Sequence, residues 1–287
     1  MKEKSHSMKK RFVAVLVATI LLGGISTFAA AQAQTQPQTP APKPVPKQPQ
    51  AKTQQEYDAY SKFSSETDFT KKTAMGEQFI KDFPDSELNV PYVLPQVVVG
   101  YQQLNNYEKT VECGEKILAA DSSNAFALFM LSTVIPERIK DDDLDRQQKL
   151  DHTTDYAKKL LEVANSMQKP APMTEDQWKM QKAQLQGGAY SALGFVALHK
   201  KSYDEAISEY KKSLEVYPKD PIAYYRLGLS YSFAKKNDEA LKALATSVAM
   251  NGPSQAKSYL EQLYKAKNNG SLDGLDKMIS EAASGLK

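Results

Sequence analysis

The chain has 287 residues, of which 41% are hydrophobic and 9% aromatic, so most of it can bury a core in one or two domains. The formal charge of +3 is misleading, because the first 33 residues carry five basic side chains against one acidic one and leave the rest at −1. A near-neutral body gives no electrostatic case for binding nucleic acid. The single cysteine, Cys113, excludes an intrachain disulfide and a thiolate zinc site, and its expected role is a small apolar side chain on a helix.

Residues 1–33 have the three-part pattern of a secretory signal peptide. A basic stretch at residues 9–11 precedes an apolar run from Phe12 to Leu22, and small residues continue to Ala33. This pattern predicts export to the periplasm with cleavage after Ala33, or after Ala31 as the second choice.

The alternative for the same segment is an uncleaved anchor in the inner membrane. The stretch from Phe12 to Ala31 is just long enough to cross a bilayer, and the protein would then be tethered to the membrane. The strongly apolar part ends at Leu22, about halfway along this stretch, which favours cleavage. In both cases the body of the protein is expected outside the cytoplasm.

Residues 34–52 form a low-complexity segment in which six prolines alternate with Gln, Thr, Ala and Lys. Proline fixes φ and lacks a backbone donor, so this segment is expected to be a disordered, semi-rigid linker rather than part of a helix or sheet. Residues 53–287 are expected to form the folded domain.

The first part of this domain predicts two helical pairs, over residues 53–86 and 91–124. In the first pair Tyr57, Tyr60 and Phe63 fall on one helical face, and in the second Leu94 and Val97 do so, followed by Tyr101. The second pair fits a 34-residue register, and Gly100 takes the place of a repeat glycine if the loop is two residues shorter.

The middle part, residues 125–186, is irregular. A helix over Ala125–Ile139 should kink or end early at Pro136. A lengthened second helix follows, and Thr174 to Gln177 has the spacing of a capping box that opens an extra helix. The pair Gly187-Gly188 is expected to bend that helix or to break it.

An acidic run, Asp141 to Asp145, precedes the lengthened helix and begins like a calcium loop. Arg146 stands where such a loop needs glycine, and His152 stands where it needs glutamate, so a helix N-terminus is the preferred interpretation. No metal or cofactor is expected. The three histidines are far apart, and no nucleophile-elbow, phosphate-loop or dinucleotide motif occurs, so we do not expect an enzyme.

Residues 187–220 and 221–254 are two copies of one helix–turn–helix unit. Positions with the same residue recur 34 residues apart, and the turn Asp204 to Ile207 returns as Asp238 to Leu241. Residues 255–287 then predict two capping helices with a polar outer face.

A fixed period of 34 with this pattern resembles the tetratricopeptide-repeat (TPR) family, as found in bacterial exported TPR proteins. The resemblance implies an all-α fold, a right-handed α-solenoid that is degenerate at its N-terminal end. It also implies a repeat core of large and small side chains: Tyr190, Leu193, Gly194, Ala206, Tyr210, Pro218, Tyr224, Leu227, Gly228, Tyr231, Ala240 and Leu244.

The resemblance further implies that the protein is a non-enzymatic scaffold that binds a protein or peptide partner in a concave groove. The groove positions carried over from the family are Ser191, Phe195, Leu198, His199, Ile222, Tyr225, Leu229, Ser232 and Phe233. This strip is apolar and aromatic. The alternative is that part of it packs on the neighbouring repeat or on the C-terminal cap instead of binding a partner. The Lys and Asn that bind acidic C-terminal peptides in one TPR subtype are replaced by Ser191 and Phe195, which disfavours that partner class. The alternatives are a self-associating structural module and, as a third choice, a glycan-binding or enzyme accessory protein.

Overall fold

The computed structural model describes residues 49–286, so the predicted signal peptide and the predicted linker up to residue 48 lie outside the described residues. The described part contains twelve α-helices and no strand. They are α1 Gln54–Ser65, α2 Phe69–Asp82, α3 Leu94–Gln103, α4 Tyr107–Ala120, α5 Ala125–Val134, α6 Arg146–Ser166, α7 Glu175–His199, α8 Tyr203–Val216, α9 Pro221–Phe233, α10 Asn237–Ala249, α11 Ser254–Lys267 and α12 Leu275–Ser284. Between residues 49 and 286, no helix has both the length and the apolar character needed to cross a membrane.

The described residues divide into two compact units, and the boundary falls within α4. The smaller unit comprises residues 49–113 and 170–173, and the larger comprises residues 114–169 and 174–286. Cys113, at this boundary, is buried on α4 as the sequence predicts. The larger unit contains the two clean repeats.

In the smaller unit, α2 packs closely on α1 and α3. A Cβ atom at Gly76 of α2 would lie 2.4 Å from Val97 Cγ2 and 2.9 Å from Phe63 Cε2, so only glycine allows this approach. The N-terminal end of α1 is tied to the segment after α2, because Glu56 accepts hydrogen bonds from the Lys52 backbone N–H (2.6 Å) and the Ser86 hydroxyl (2.5 Å). Phe63 is buried as the sequence pattern predicts, whereas Tyr57 is exposed.

In the larger unit, each helix from α5 onward packs against its successor, up to α11. This stacking of successive helical pairs is the architecture of an α-solenoid. The last helix, α12, packs on α10 and covers the end of the core with Leu275, Met278 and Ile279. Its opposite face is polar and exposed, as expected for a cap.

The register of the repeats is visible in a left-handed residue that follows four of the helices, α3, α7, α9 and α11. Asn105, Lys201, Lys235 and Asn269 all have φ between 52° and 62°, and the last three recur at the repeat period. The following residue donates a backbone hydrogen bond to the carbonyl five positions back, as in a Schellman motif, for example Ser202 N–H to Ala197 at 2.9 Å.

The contacts of Gly100 decide between the two registers of the pair at residues 91–124. A Cβ atom at Gly100 would lie 1.9 Å from Thr73 Oγ1 of α2, in the preceding pair, whereas Cβ atoms at Gly194 and Gly228 would meet side chains in the second helix of their own repeat. Gly100 is therefore not the counterpart of the repeat glycine.

Within each clean repeat, a small residue of the first helix faces a large residue of the second. A Cβ atom at Gly194 would lie 3.1 Å from three ring atoms of Tyr210, and one at Gly228 would lie 2.6 Å from Leu244 Cγ. Tyr210 and Leu244 are fully buried. The predicted pairing of small and large side chains is therefore present in both copies.

The predicted core set is mostly correct, with one clear error. Buried members are Gly194, Ala206, Tyr210, Leu227, Gly228, Ala240 and Leu244. Half-buried members are Tyr190, Leu193, Tyr224 and Tyr231, of which the last two pack on the repeat core. Pro218 is exposed, because it lies in the linker between α8 and α9, and its assignment to the core is wrong.

In both clean repeats, a serine of the second helix donates a hydrogen bond to the backbone carbonyl of the first residue of the repeat. The sequence pattern did not predict this contact. Ser213 Oγ donates to the Gly187 carbonyl at 2.8 Å, and Ser247 Oγ donates to the Pro221 carbonyl at 2.7 Å. The donors and the acceptors both recur at the repeat period, and both serines are fully buried. The sequence signal for this hydrogen bond was a serine that recurs at the repeat period in a helix position that is buried.

The irregular segment differs from the expectation at Gly187-Gly188. The capping box of Thr174 and Gln177 is formed as predicted, but the helix that it opens continues without interruption to His199. Of the two alternatives, a bend or a break, the break is therefore wrong, and the extra helix and the first helix of the clean repeat are one element. The glycines allow close packing. A Cβ atom at Gly187 would lie 2.8 Å from Tyr217 Cβ, and one at Gly188 would lie 2.4 Å from Phe129 Cε2.

Elsewhere in this segment the proline acts as predicted. Helix α5 ends at Val134, and Pro136 opens a short 3₁₀ turn, Pro136–Arg138. The chain from Ile135 to Asp145, which we call the α5–α6 loop, then leads to α6. That helix has 21 residues, against 14 in α8, which agrees with a lengthened second helix.

Candidate functional site

The predicted groove residues lie on α7 and α9, which contact each other directly. They are not uniformly accessible. Ser191 is buried and is not part of an open surface, while Leu198 packs against an apolar core that residues of both clean repeats form. Tyr225 packs against the cluster formed with the C-terminal helices, which agrees with the alternative that part of the strip faces the cap.

The accessible part of the strip is smaller than expected and lies mainly on α9. Ile222, Leu229 and Ser232 are half-buried. Phe233 is 47% exposed, and its ring stacks on Tyr203 with a centroid distance of 5.5 Å and an interplanar angle of 28°. The face that remains for a ligand is apolar, with one aromatic ring at its end.

A charged group that sequence reasoning missed lies in the middle of this face. Arg226 is the only charged residue of α9. Its guanidinium lies over the Phe195 ring, with Cζ 4.6 Å from the ring centroid, in a cation–π contact. The sequence signal for Arg226 was that it is a single charged residue in a helix whose other residues are all uncharged.

The partner of Arg226 comes from the α5–α6 loop. Glu137 accepts a hydrogen bond from Arg226 Nη2 in an ion pair that joins positions 89 residues apart. The Arg226 side chain is only 15% exposed, whereas that of Glu137 is 51% exposed. Burial alone would lower the pKa of Arg226, but the Glu137 carboxylate, together with Tyr210 and Asp220, outweighs this effect, and the pKa is raised.

Two further contacts hold the α5–α6 loop against α7. Ile139 is buried in a small apolar cluster with Leu150 of α6 and Val196 of α7. Arg146 Nη2, at the start of α6, donates to the His199 carbonyl at 2.5 Å. The loop is thus a packed element that places the Glu137 carboxylate over the groove.

The acidic run of this loop is folded back on itself. Asp143 accepts hydrogen bonds from Lys149 Nζ at 2.8 Å and from the Lys140 backbone N–H at 3.2 Å, and these bonds lower its pKa. Asp145 pairs with Lys149 at 2.9 Å. Across the described range 49–286, no three His, Cys, Asp or Glu side chains are grouped as metal ligands would be.

Three titratable groups surround the Arg226 site. His199 lies beside Phe195 at a ring distance of 4.5 Å, and burial together with the Arg146 charge lowers its pKa. Tyr210 is fully buried, and burial raises the pKa of its hydroxyl. Burial also raises the pKa of Asp220, although its carboxylate accepts hydrogen bonds from the Ile222 and Ala223 N–H groups and so caps α9. The site is therefore a largely buried guanidinium beside an apolar surface, paired with the half-exposed Glu137 carboxylate, and a guanidinium suits recognition of a carboxylate.

The comparisons with known proteins agree with the repeat register. Residues 196–232 match a family model described as TPR repeat, and residues 222–253 match one described as tetratricopeptide repeat. No curated protein matches the sequence.

Two solved structures resemble the chain at low sequence identity. The crystal structure of MamA protein is 20% identical, with a TM-score of 0.48, and the match covers 68% of this chain and 89% of that one. TTC0263, a thermophilic TPR protein of Thermus thermophilus, is 14% identical, with a TM-score of 0.48, and the match covers 73% of this chain and 95% of that one.

Proposed function

Because residues 196–253 form tetratricopeptide repeats, which are generally protein-interaction modules and typically non-enzymatic, we propose that this protein is a scaffold that binds a peptide or protein segment on the face of α7 and α9. The observation that carries the proposal is the apolar α9 face around Ile222, Leu229 and Phe233. An extended or helical segment with apolar anchors matches such a face.

The proposed location is the cell envelope, with the body of the protein exported. The support is the pattern of residues 1–33 in the sequence, which ends in small residues at a signal-peptidase-like site. Mass spectrometry of the N-terminus in envelope fractions tests this location, with a mature chain starting at Gln34 as the expected result. A chain that retains Phe12 to Ala31 in the membrane fraction supports the anchored alternative, and one recovered from the cytoplasm contradicts export.

Site-specific photo-crosslinking tests the binding face. A benzophenone amino acid at Phe233 should crosslink a partner in envelope fractions, and Leu229→Ser should abolish this product. Met180 is the matched control, because it is 61% exposed and lies in the first half of α7, away from the groove positions. A benzophenone at Met180 should give no such product.

Two outcomes separate the alternatives. A crosslinked species made of two copies of this chain supports self-association through the same face. Identical products from positions 233 and 180, or products that survive Leu229→Ser with the fold intact by circular dichroism, contradict the assignment of the face.

A further inference from the structure

The ion pair between Arg226 and Glu137 is asymmetric in its exposure. The guanidinium is 15% exposed and lies over Phe195, so it is held in one place and largely removed from water. A desolvated cation is costly unless it is paired with an anion, so the position favours a bound carboxylate. The carboxylate of Glu137, which pairs with Arg226, is about half exposed to solvent. Another anion can approach Arg226 from this exposed side.

Glu137 can leave without unfolding its loop. The backbone around it is fixed by Ile139 against Val196 and Leu150, and the next element is fixed by Arg146 on the His199 carbonyl. These contacts do not involve the Glu137 side chain. Rotation of that side chain into water therefore releases Arg226 and leaves the loop in place.

No other described carboxylate near Arg226 is free to take over. Asp220 is the second anion that acts on the guanidinium, but it caps α9 by accepting from two backbone N–H groups at 2.9 and 3.0 Å. Tyr210, the remaining polar neighbour, is fully buried and carries no charge at neutral pH, because burial raises its pKa. An incoming anion would therefore meet Glu137 as its main competitor.

The surroundings define the ligand further. Ile222 and Leu229 lie four residues before and three residues after Arg226, so all three fall on one side of α9. A ligand whose carboxylate meets Arg226 would bring its neighbouring side chains over this apolar surface.

We propose that Glu137 is an internal competitor that holds the Arg226 site for the carboxylate of a peptide partner, an acidic residue flanked by apolar ones, which displaces it on binding. The inference rests on the proposed function, because it names the chemistry that the same face recognises. The Glu137 side chain stabilises the groove when no partner is bound. A partner binds only if its carboxylate and the apolar residues beside it bind more favourably than Glu137 does.

Nuclear magnetic resonance of the Arg226 side chain tests the competition directly. The probe is N-acetyl-glutamate α-amide, which carries a side-chain carboxylate alone, and acetylglycine supplies a terminal carboxylate for comparison. N-acetyl-glutamine α-amide is the neutral control. The Nε–H resonance of Arg226 is assigned by its loss in Glu137→Gln/Arg226→Gln, a double variant that removes both charges and leaves no unpaired ion.

The expected result is a saturable shift of that resonance by a carboxylate probe and none by the neutral one. Glu137→Gln should lower the half-saturating concentration by about tenfold or more, because an intramolecular competitor acts at an effective concentration in the millimolar range. The probe with the stronger effect tells whether a side-chain or a terminal carboxylate is preferred.

Equal half-saturation in the wild-type protein and in Glu137→Gln would overturn the inference, and so would the absence of a saturable shift in both. Either result leaves the crosslinking experiment at Phe233 unaffected, because that experiment does not depend on Arg226. Conversely, loss of the crosslink with a normal carboxylate titration contradicts the partner face and not the competition.

Discussion

Replacing Gly228 by alanine should destabilise the protein, although alanine is the better helix former. A Cβ atom at this position would lie 2.6 Å from Leu244 Cγ, far inside the 3.4 Å at which ordinary contacts begin. Leu244 is fully buried and has no solvent to move into. Overpacking of this kind costs about 1–3 kcal/mol, and the gain in helix propensity returns about 1 kcal/mol. Because the overlap is severe, we expect a net loss near the upper end of the difference, about 2 kcal/mol.

The other clean repeat supplies the matched control. At Gly194 the same Cβ atom would lie 3.1 Å from the Tyr210 ring, which is tight but needs only a slight shift of the ring, so Gly194→Ala should be close to neutral. Urea and thermal unfolding followed by circular dichroism should place the melting temperature of Gly228→Ala about 4–8 °C below that of the wild type. In a Leu244→Ala background only the Ala240 carbonyl oxygen, at 3.3 Å, remains close to the added Cβ atom, so most of the cost of Gly228→Ala should disappear.

Two results would refute this reasoning. One is a Gly194→Ala variant that loses as much stability as Gly228→Ala, because the two positions would then not differ through their partners. The other is an unchanged cost of Gly228→Ala in the Leu244→Ala background, which would show that the contact with Leu244 is not the cause.

Two further perturbations follow from the contacts of the larger unit. Ser247→Ala removes the buried hydrogen bond to the carbonyl at the start of α9 and should lower the free energy of unfolding by about 1 kcal/mol in urea titrations, whereas Thr246→Ala, one residue away, should change it little. Because burial and Arg146 lower the pKa of His199 in the folded state, its contribution to stability is complete above the usual value of 6.5 and is lost as the pH falls through the folded value. Unfolding midpoints measured from pH 7.5 to 5 should therefore decline less in His199→Gln than in the wild type, and a decline that is equal in His199→Gln and in the control His152→Gln would contradict this role.

The repeat register could be predicted from the sequence because it depends on local chemistry that recurs. The repeat spacing placed the small residues Gly194 and Gly228 opposite their large partners, and it placed the turn into the second helix at Asp204 and again at Asp238. Each of these features involves residues within one repeat, so a periodic pattern in the sequence carries the information.

The parts that were missed depend on contacts between distant segments. The ion pair of Glu137 and Arg226 joins positions 89 residues apart that belong to no common period. The two glycines at 187 and 188 predicted a bend or a break, since each costs a helix about 1 kcal/mol, but packing on Tyr217 and Phe129 outweighs that local cost and the helix continues. A sequence pattern of single residues cannot reveal such compensation.

The uninterrupted helix α7 changes how the protein can be divided. With 25 residues it is about 37 Å long at about 1.5 Å per residue, and it belongs both to the irregular segment and to the first clean repeat. A fragment that starts at Gly187, where the repeat begins in the sequence, would cut this rod in half and expose the surfaces of α5 and α6 that it covers. The irregular segment and the first repeat should therefore unfold as one cooperative block. An expression fragment of the groove should begin before the start of α5, so that α5 and α6 keep their partner.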